Sequence, residues 1–214
     1  MAQQIVIVGN GEVDEKAARA IDAADFVVRF NDCRNFGAAG RRTDAVAVCN
    51  TGRPARAMTM DDSWRMHPAV VAAREIWSVR DPQKFAALRQ PLQQSHPELD
   101  DFCDDHTPAF EAIARASQKR HVVIPASVHE ACETALSAFE SGAHVCPSSG
   151  MMVIFDLMER VDAADATIRL AGFDHAGWHG HPFAAERRFV DFHVAAGRLA
   201  RLATSDLSLS PSGV

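Results

Sequence analysis

Ile5-Val6-Ile7-Val8-Gly9-Asn10-Gly11-Glu12 is the stretch on which the fold turns. A continuous apolar run without polar alternation describes a strand covered on both faces, as in a parallel sheet. Gly9 and Gly11 follow it in a tight turn, where a missing Cβ lets the backbone approach a ligand closely. The helix expected next, over residues 14–22, would offer its N-terminus to an anion. Position 14, the third glycine of a dinucleotide fingerprint, is Asp14, and an acid there repels a pyrophosphate. A bare strand–turn–helix junction explains the segment equally well.

Outward from it, short apolar runs alternate with longer helical patterns. Strands are expected at 5–8, 26–30, 45–49, 75–79, 121–124 and 167–172. Helices are expected at 85–94, 108–117, 128–141, 151–161 and 183–196, with Ser127 as a cap, Gly142 as a stop and Pro182 at a first helical position. This alternation predicts an α/β fold: a doubly wound, mostly parallel sheet flanked by helices. Adjacent strand ends then face one crevice, where Asn10 and Asn31 both fall. Each amide offers a donor and an acceptor suited to a ribose or a base edge. Both are also turn residues that tolerate unusual backbone angles.

Composition narrows the classes. A chain of 214 residues, 47% of them hydrophobic, fits one domain with a sizeable core. That domain is expected over residues 1–204, with 205–214 as a flexible tail. The formal net charge is −6 and the basic residues are scattered, which argues against nucleic acid. Five cysteines with no C-x-x-C pair suggest reduced thiols in a cytoplasm. No leader is expected ahead of the first strand, and no apolar run approaches the roughly 20 residues that span a bilayer. The segment from about Thr51 to Thr107, with five prolines and the cluster Asp100-Asp101-Phe102-Cys103-Asp104-Asp105, reads as a solvated loop or an insertion beside a site.

Val8-Gly9-Asn10-Gly11, Ile21-Asp22, Asp25, Val28-Arg29-Phe30-Asn31 and Gly40-Arg41-Arg42-Thr43-Asp44 together resemble the large sialyl motif of glycosyltransferase family 29. Pro147-Ser148-Ser149-Gly150 and the run ending in Gly172-Phe173 resemble its small motif. Gly177-Trp178-His179 resembles the third motif, and His181 with Glu186 the last. The resemblance covers about the first 50 residues and the stretch from 144 to 200. It departs from the family in lacking a clear counterpart of the cysteine pair linking the large and small motifs, since position 4, ahead of the first strand, is Gln4. It also departs in the two-residue spacing of His179 and His181.

The resemblance implies a short bacterial-type, sialyltransferase-like enzyme with a Rossmann-like, glycosyltransferase-A-type sheet. It implies metal-independent transfer, with inversion, of a sialic-acid-type sugar from a CMP-sugar donor to a glycan or other hydroxyl acceptor. No cofactor is implied. His181 is then the general base, kept neutral by the helix N-terminus after Pro182. His179, or less favourably His175, assists the leaving phosphate, and Glu186 supports the site. Gly9, Asn10, Gly11, Asn31, Ser148, Ser149 and Gly150 hold the nucleotide. Taken without the resemblance, Ser148 to Gly150 also read as a simple helix cap, and Glu186 as an acid well placed near a helix start.

Two other classes stay open on the residues alone. Asp174-His175-x-x-x-His179-x-His181 gathers a carboxylate and three imidazoles that suit Zn²⁺ or Ni²⁺. The compressed segment before His181 also fits a nucleotide-binding module without transfer activity.

Overall fold

The computed structural model of the protein describes residues 2–202. In chain order the elements are β1 (Gln3–Val8), a short 3₁₀ turn (Glu15–Ala17), α1 (Ala18–Asp22), β2 (Phe26–Phe30), β3 (Ala45–Val48), α2 (Gly52–Met60), α3 (Asp62–Arg65) and α4 (Pro68–Ala72). There follow β4 (Glu75–Ser78), α5 (Pro82–Ser95), a second 3₁₀ turn (Pro97–Leu99), α6 (Thr107–Ala116), β5 (Arg120–Val123) and α7 (Ala126–Ser137). The chain closes with α8 (Ser149–Arg160), β6 (Ala166–Ala171), α9 (Phe183–Ala195) and β7 (Leu199–Arg201).

The strands form one seven-stranded sheet in the order β5-β4-β3-β2-β1-β6-β7. All six pairings are parallel, so the doubly wound α/β, Rossmann-like fold expected from the apolar runs is the one observed. The chain winds outward from β1 to β5, then returns to place β6 on the other side of β1. That reversal makes the carboxyl end of β1 the switch point where a crevice opens.

Alternate residues of β1 go to opposite layers. Ile5 and Ile7 join the core beneath α8 and α9, while Val6 and Val8 pack with Ala17, Ile21 and Val27. Helix α8 is buried continuously from Met151 to Met158. The one acid within that buried run, Asp156, is paired with Arg160 one turn on, at 2.9 Å. Burying each large apolar side chain contributes about 1.5–3 kcal/mol, so a helix covered all round anchors this layer.

The expected strands form within two residues of their positions, while the short β7 was not anticipated. The middle corrects the reading more: 51–107 is not a solvated loop, and besides the expected β4 and the helix expected at 85–94, which is α5, it holds α2, α3 and α4. Its prolines misled because Pro68 and Pro82 open helices, where a missing N–H costs nothing, and Pro54 lies in the first turn of α2. Only Pro91 sits inside a helix. Helix α7 begins after Pro125, not at a Ser127 cap, and ends five residues before Gly142. Pro182 is the N-cap of α9 rather than its first residue. The expected tail, 205–214, lies outside the described residues.

Candidate functional site

Two cavities lie side by side at the carboxyl ends of the strands, about 410 and 460 Å³ in volume. They share Asn31, Ser149, Trp178 and His181, so they are two halves of one crevice. One half is completed by Cys49, Thr51, Arg80 and Phe102, the other by the Gly9–Gly11 turn, Arg34 and the 172–177 loop. A larger cavity of about 730 Å³, between the α4 region and α6, contains none of the expected site residues.

Asn31 stands where β2 ends, with φ +47, a backbone angle that asparagine tolerates. Its Oδ1 accepts from Cys49 N–H at 2.8 Å, and its carbonyl accepts from Trp64 Nε1 at 2.8 Å. Among the described residues its Nδ2 has no acceptor, which leaves a donor facing both cavities. Asn31 is thus both readings at once, a strained turn and a cleft residue.

Asn10 and the two glycines are committed to the scaffold. Asn10 Nδ2 donates to Phe30 O at 3.2 Å and Asp32 Oδ1 at 2.9 Å, and Asn10 Oδ1 accepts from Arg34 N–H at 3.2 Å. The Gly9 and Gly11 N–H groups donate to Ala171 O and Gly172 O. Their carbonyls accept from Asn35 Nδ2 at 2.8 and 2.7 Å. The close approach these glycines permit is to the β6 turn: a Cβ on Gly9 would stand 2.3 Å from Gly172 O. Gly150 has a similar duty, since a Cβ there would meet the Phe173 ring at 2.7 Å.

Ser148 caps α8 by accepting from Met151 N–H at 3.1 Å, and both its own donors go to Glu186. Glu186 is buried, which raises its pKa against the opposing pull of those two hydrogen bonds. Ser149 has no such commitment and lines both halves of the crevice.

His181 Nδ1 lies 2.8 Å from Cys146 O; a carbonyl only accepts, so Nδ1 carries the proton and Nε2 the lone pair. Its ring stands edge-on to Trp178 and Phe183, with centroids 4.9 and 5.4 Å away. Burial lowers its pKa to about 4, with Arg80 adding to the effect. The imidazole is therefore neutral as expected, chiefly through desolvation.

The other histidines go elsewhere. His179 is exposed and lines a separate cavity of about 180 Å³ with His96 and His144. His175 takes φ +53 in the Gly-turn half of the crevice, where burial lowers its pKa to about 4. Among the described residues no group of three or more His, Cys, Asp or Glu is placed to hold a metal ion. The Asp174–His181 metal reading is corrected accordingly: the turns of this loop send its rings into different surroundings.

Sequence reasoning missed Thr51, Arg80, Phe102 and Trp178 as a set. Arg80 was findable, because it is the polar residue just past the apolar strand at 75–79. Thr51 and Phe102 lay in the segment taken for a loop.

No family model matches the chain. Over 206 residues, 95% of this chain and 95% of the relative, it is 54% identical to the urease operon 23 kDa accessory protein of Rhizobium meliloti (strain 1021). The chain belongs to the family of that accessory protein. A crystal structure of a mammalian sialyltransferase aligns with this urease-operon family member at TM-score 0.52 and 14% identity, over 94% of this chain and 68% of the other. At that identity the likeness is one of fold alone.

These findings overturn the assignment to glycosyltransferase family 29, and with it the inverting transferase activity, the CMP-sugar donor and the glycan or hydroxyl acceptor. The motif residues have a physical reason to match without sharing an activity, because they build the fold. Arg29, 1% exposed, donates to Ala39 O, Gly40 O, Arg42 O and Thr43 Oγ1. Asp22 Oδ1 accepts from the Arg41 and Arg42 N–H groups, and Asp44 Oδ2 from Val27 N–H. Gly9, Ser148 and Glu186 join strands and helices in the same way. Among the described residues no helix is long and apolar enough to cross a membrane.

Proposed function

We propose that the chain is an accessory factor of a urease system and serves it through a small-molecule site in the crevice at the carboxyl ends of β1, β2, β3 and β6. The observation carrying the first half is 54% identity to a urease operon accessory protein across 95% of both chains. The second half is supported by a two-part crevice at the switch point, whose shared wall carries uncommitted polar groups on a fixed frame.

In this reading Asn31 Nδ2, the Ser149 hydroxyl and His181 Nε2 face the ligand. Gly9, Asn10, Gly11, Ser148, Gly150 and Glu186 hold the walls, and His179 stands outside the site. Residues 1–204 act as one α/β unit. Five free cysteines support a reducing cytoplasm as the working compartment.

The test is genetic and biochemical. Deleting the chain from a urease-positive bacterium that carries it lowers urease activity in extracts, and the wild-type chain restores it. Ser149→Trp, which fills both halves of the crevice, fails to restore activity although the protein accumulates. Undiminished urease activity after deletion overturns the accessory role, and full complementation by Ser149→Trp overturns the crevice as its site.

A further inference from the structure

Arg80 carries a buried charge. It is 6% exposed and lines the crevice half bounded by Thr51, Phe102 and Trp178. Its main chain is gripped on both sides by Asn50, whose Oδ1 accepts from Arg80 N–H and whose Nδ2 donates to Arg80 O, each at 2.8 Å. Asn50 is itself fully buried and also donates to Thr107 Oγ1 at 2.7 Å. The guanidinium carbon lies 4.3 Å from the Phe102 ring centroid and 4.9 Å from that of Phe85. The head group is thus fixed by packing as well as by its backbone clamp.

What it lacks is a counter-charge. Among the described residues no carboxylate lies within ion-pairing distance of Arg80. One Nη donates to Thr51 Oγ1 and the other to Cys146 Sγ at 3.8 Å, a weak acceptor. A guanidinium has five N–H donors, so most of its capacity is unused. The nearby acid on the cavity wall, Asp101, is engaged by Arg53 at 2.8 Å. A buried cation left without a counter-charge is costly, and a cleft is where a ligand can supply the anion.

We propose that the Arg80 half of the crevice binds the oxyanion of a small organic acid, a carboxylate or a phosphate monoester, with its apolar part against Phe102 and Trp178. The geometry fits the chemistry. The two rings stand 5.4 Å apart and form one apolar wall. Thr51, Asn31 and Ser149 add short polar groups around the guanidinium, and about 410 Å³ admits a molecule of modest size. A planar fork of donors suits either oxyanion. The inference deepens the proposed site but reads binding alone, so its failure leaves the urease role standing, and the reverse also holds.

The experiment is calorimetric titration of the full chain with benzoate, phenyl phosphate and the uncharged isostere benzamide. Both anions, or one of them, are expected to bind at least about tenfold more tightly than benzamide, as loss of a charge-assisted pair implies. The tighter anion identifies the ligand as carboxylate or phosphate. Equal affinity for benzamide and both anions overturns the proposal. Arg80→Gln is expected to remove the preference for the anion, and an unchanged preference overturns the assignment to Arg80. Should Arg80→Gln not fold, a crystal of the wild-type protein with 4-bromobenzoate decides by the bromine anomalous peak. A peak in the Arg80 half of the crevice, against the wall of Phe102 and Trp178, supports the site; a peak elsewhere, or none, overturns it.

Discussion

Glu186 and Ser148 are joined by two hydrogen bonds of 2.7 Å, one from the Ser148 backbone N–H and one from its hydroxyl. The pair ties the start of α8 to the first turns of α9 across 38 residues of sequence. Because Ser148 also caps α8, a single side chain fixes both helix starts beside the crevice. Ser148→Ala removes a cap and leaves a buried acceptor short of one donor, so it is expected to destabilise the protein by about 2 kcal/mol. Urea unfolding measures this, and a loss below about 0.5 kcal/mol, ordinary for a surface site, would falsify the clip.

Gly9 makes a second prediction. Its added methyl would meet the Gly172 carbonyl oxygen at 2.3 Å, and neither backbone can withdraw without breaking the β1–β6 register. Gly9→Ala is expected to cost about 1–3 kcal/mol or more, as overpacking does in a rigid interior. By contrast Gly142→Ala, where no atom lies within 4 Å, is strained only through its φ of +63 and should cost about 1 kcal/mol. Comparing the two unfolding midpoints separates close packing from backbone strain, and equal losses count against the packing account.

The parallel sheet was legible because its strands are short, apolar and bounded by turn residues, a pattern that needs no tertiary information. Gly9 and Asn10 were legible as special residues, but their duty was not; for Ser148 the sequence offered the helix cap and not the tie to Glu186. A glycine needed against a ligand and one needed against Gly172 leave the same letter in the sequence. Asn31 and Asn10 look alike as strand-end amides, yet only the fold decides that one is fully bonded and the other keeps a free donor. Arg80 sits just past a legible strand, but Thr51 and Phe102, which complete its half of the crevice, lie among prolines that mark helix starts in the structure and loops in a linear reading.

Acid sensitivity is expected between pH 6.5 and about 4. His129, His175 and His181 are all held down to about 4 by burial, from an ordinary 6.5. Protons then bind the unfolded chain more readily than the folded one, so stability is full above pH 6.5 and falls as pH drops through this window. Glu186 acts in the opposite sense: its raised pKa makes the buried charge a burden as pH rises above the usual carboxylate range. Burial raises Asp156 in the same sense as Glu186, but it also lowers His121 and His193. Five histidines therefore stand against two acids, and urea midpoints should fall from pH 7 to pH 5. A midpoint that is flat or rising on acidification counts against buried neutral imidazoles.

The thiols should be nearly silent in the folded state. All five cysteines are free and buried. Burial pushes Cys33 and Cys146 up to about 12 and Cys132 higher still, so little thiolate forms near neutrality. Cys49, which lines the crevice, is the one expected to react first with a small disulfide reagent at pH 8. Denaturant should then release all five. Rapid reaction of several thiols in the native protein would contradict the packing of the strand ends.

His181 offers the most direct check on the crevice itself. Its Nδ1–H is spent on Cys146 O, so near pH 7 the ring should be a single tautomer with Nε2 unprotonated. Long-range ¹H–¹⁵N correlation spectra distinguish this from the Nε2–H form and from imidazolium, and they follow the titration residue by residue. The expected result is an unchanged Nδ1–H pattern from pH 7 down to pH 5, because desolvation holds the pKa near 4. A His181 that protonates near pH 6.5 would mean an open, wet crevice. Its edge contacts with Trp178 and Phe183 would then not shield the ring, and the enclosed wall shared by the two halves would be lost with them.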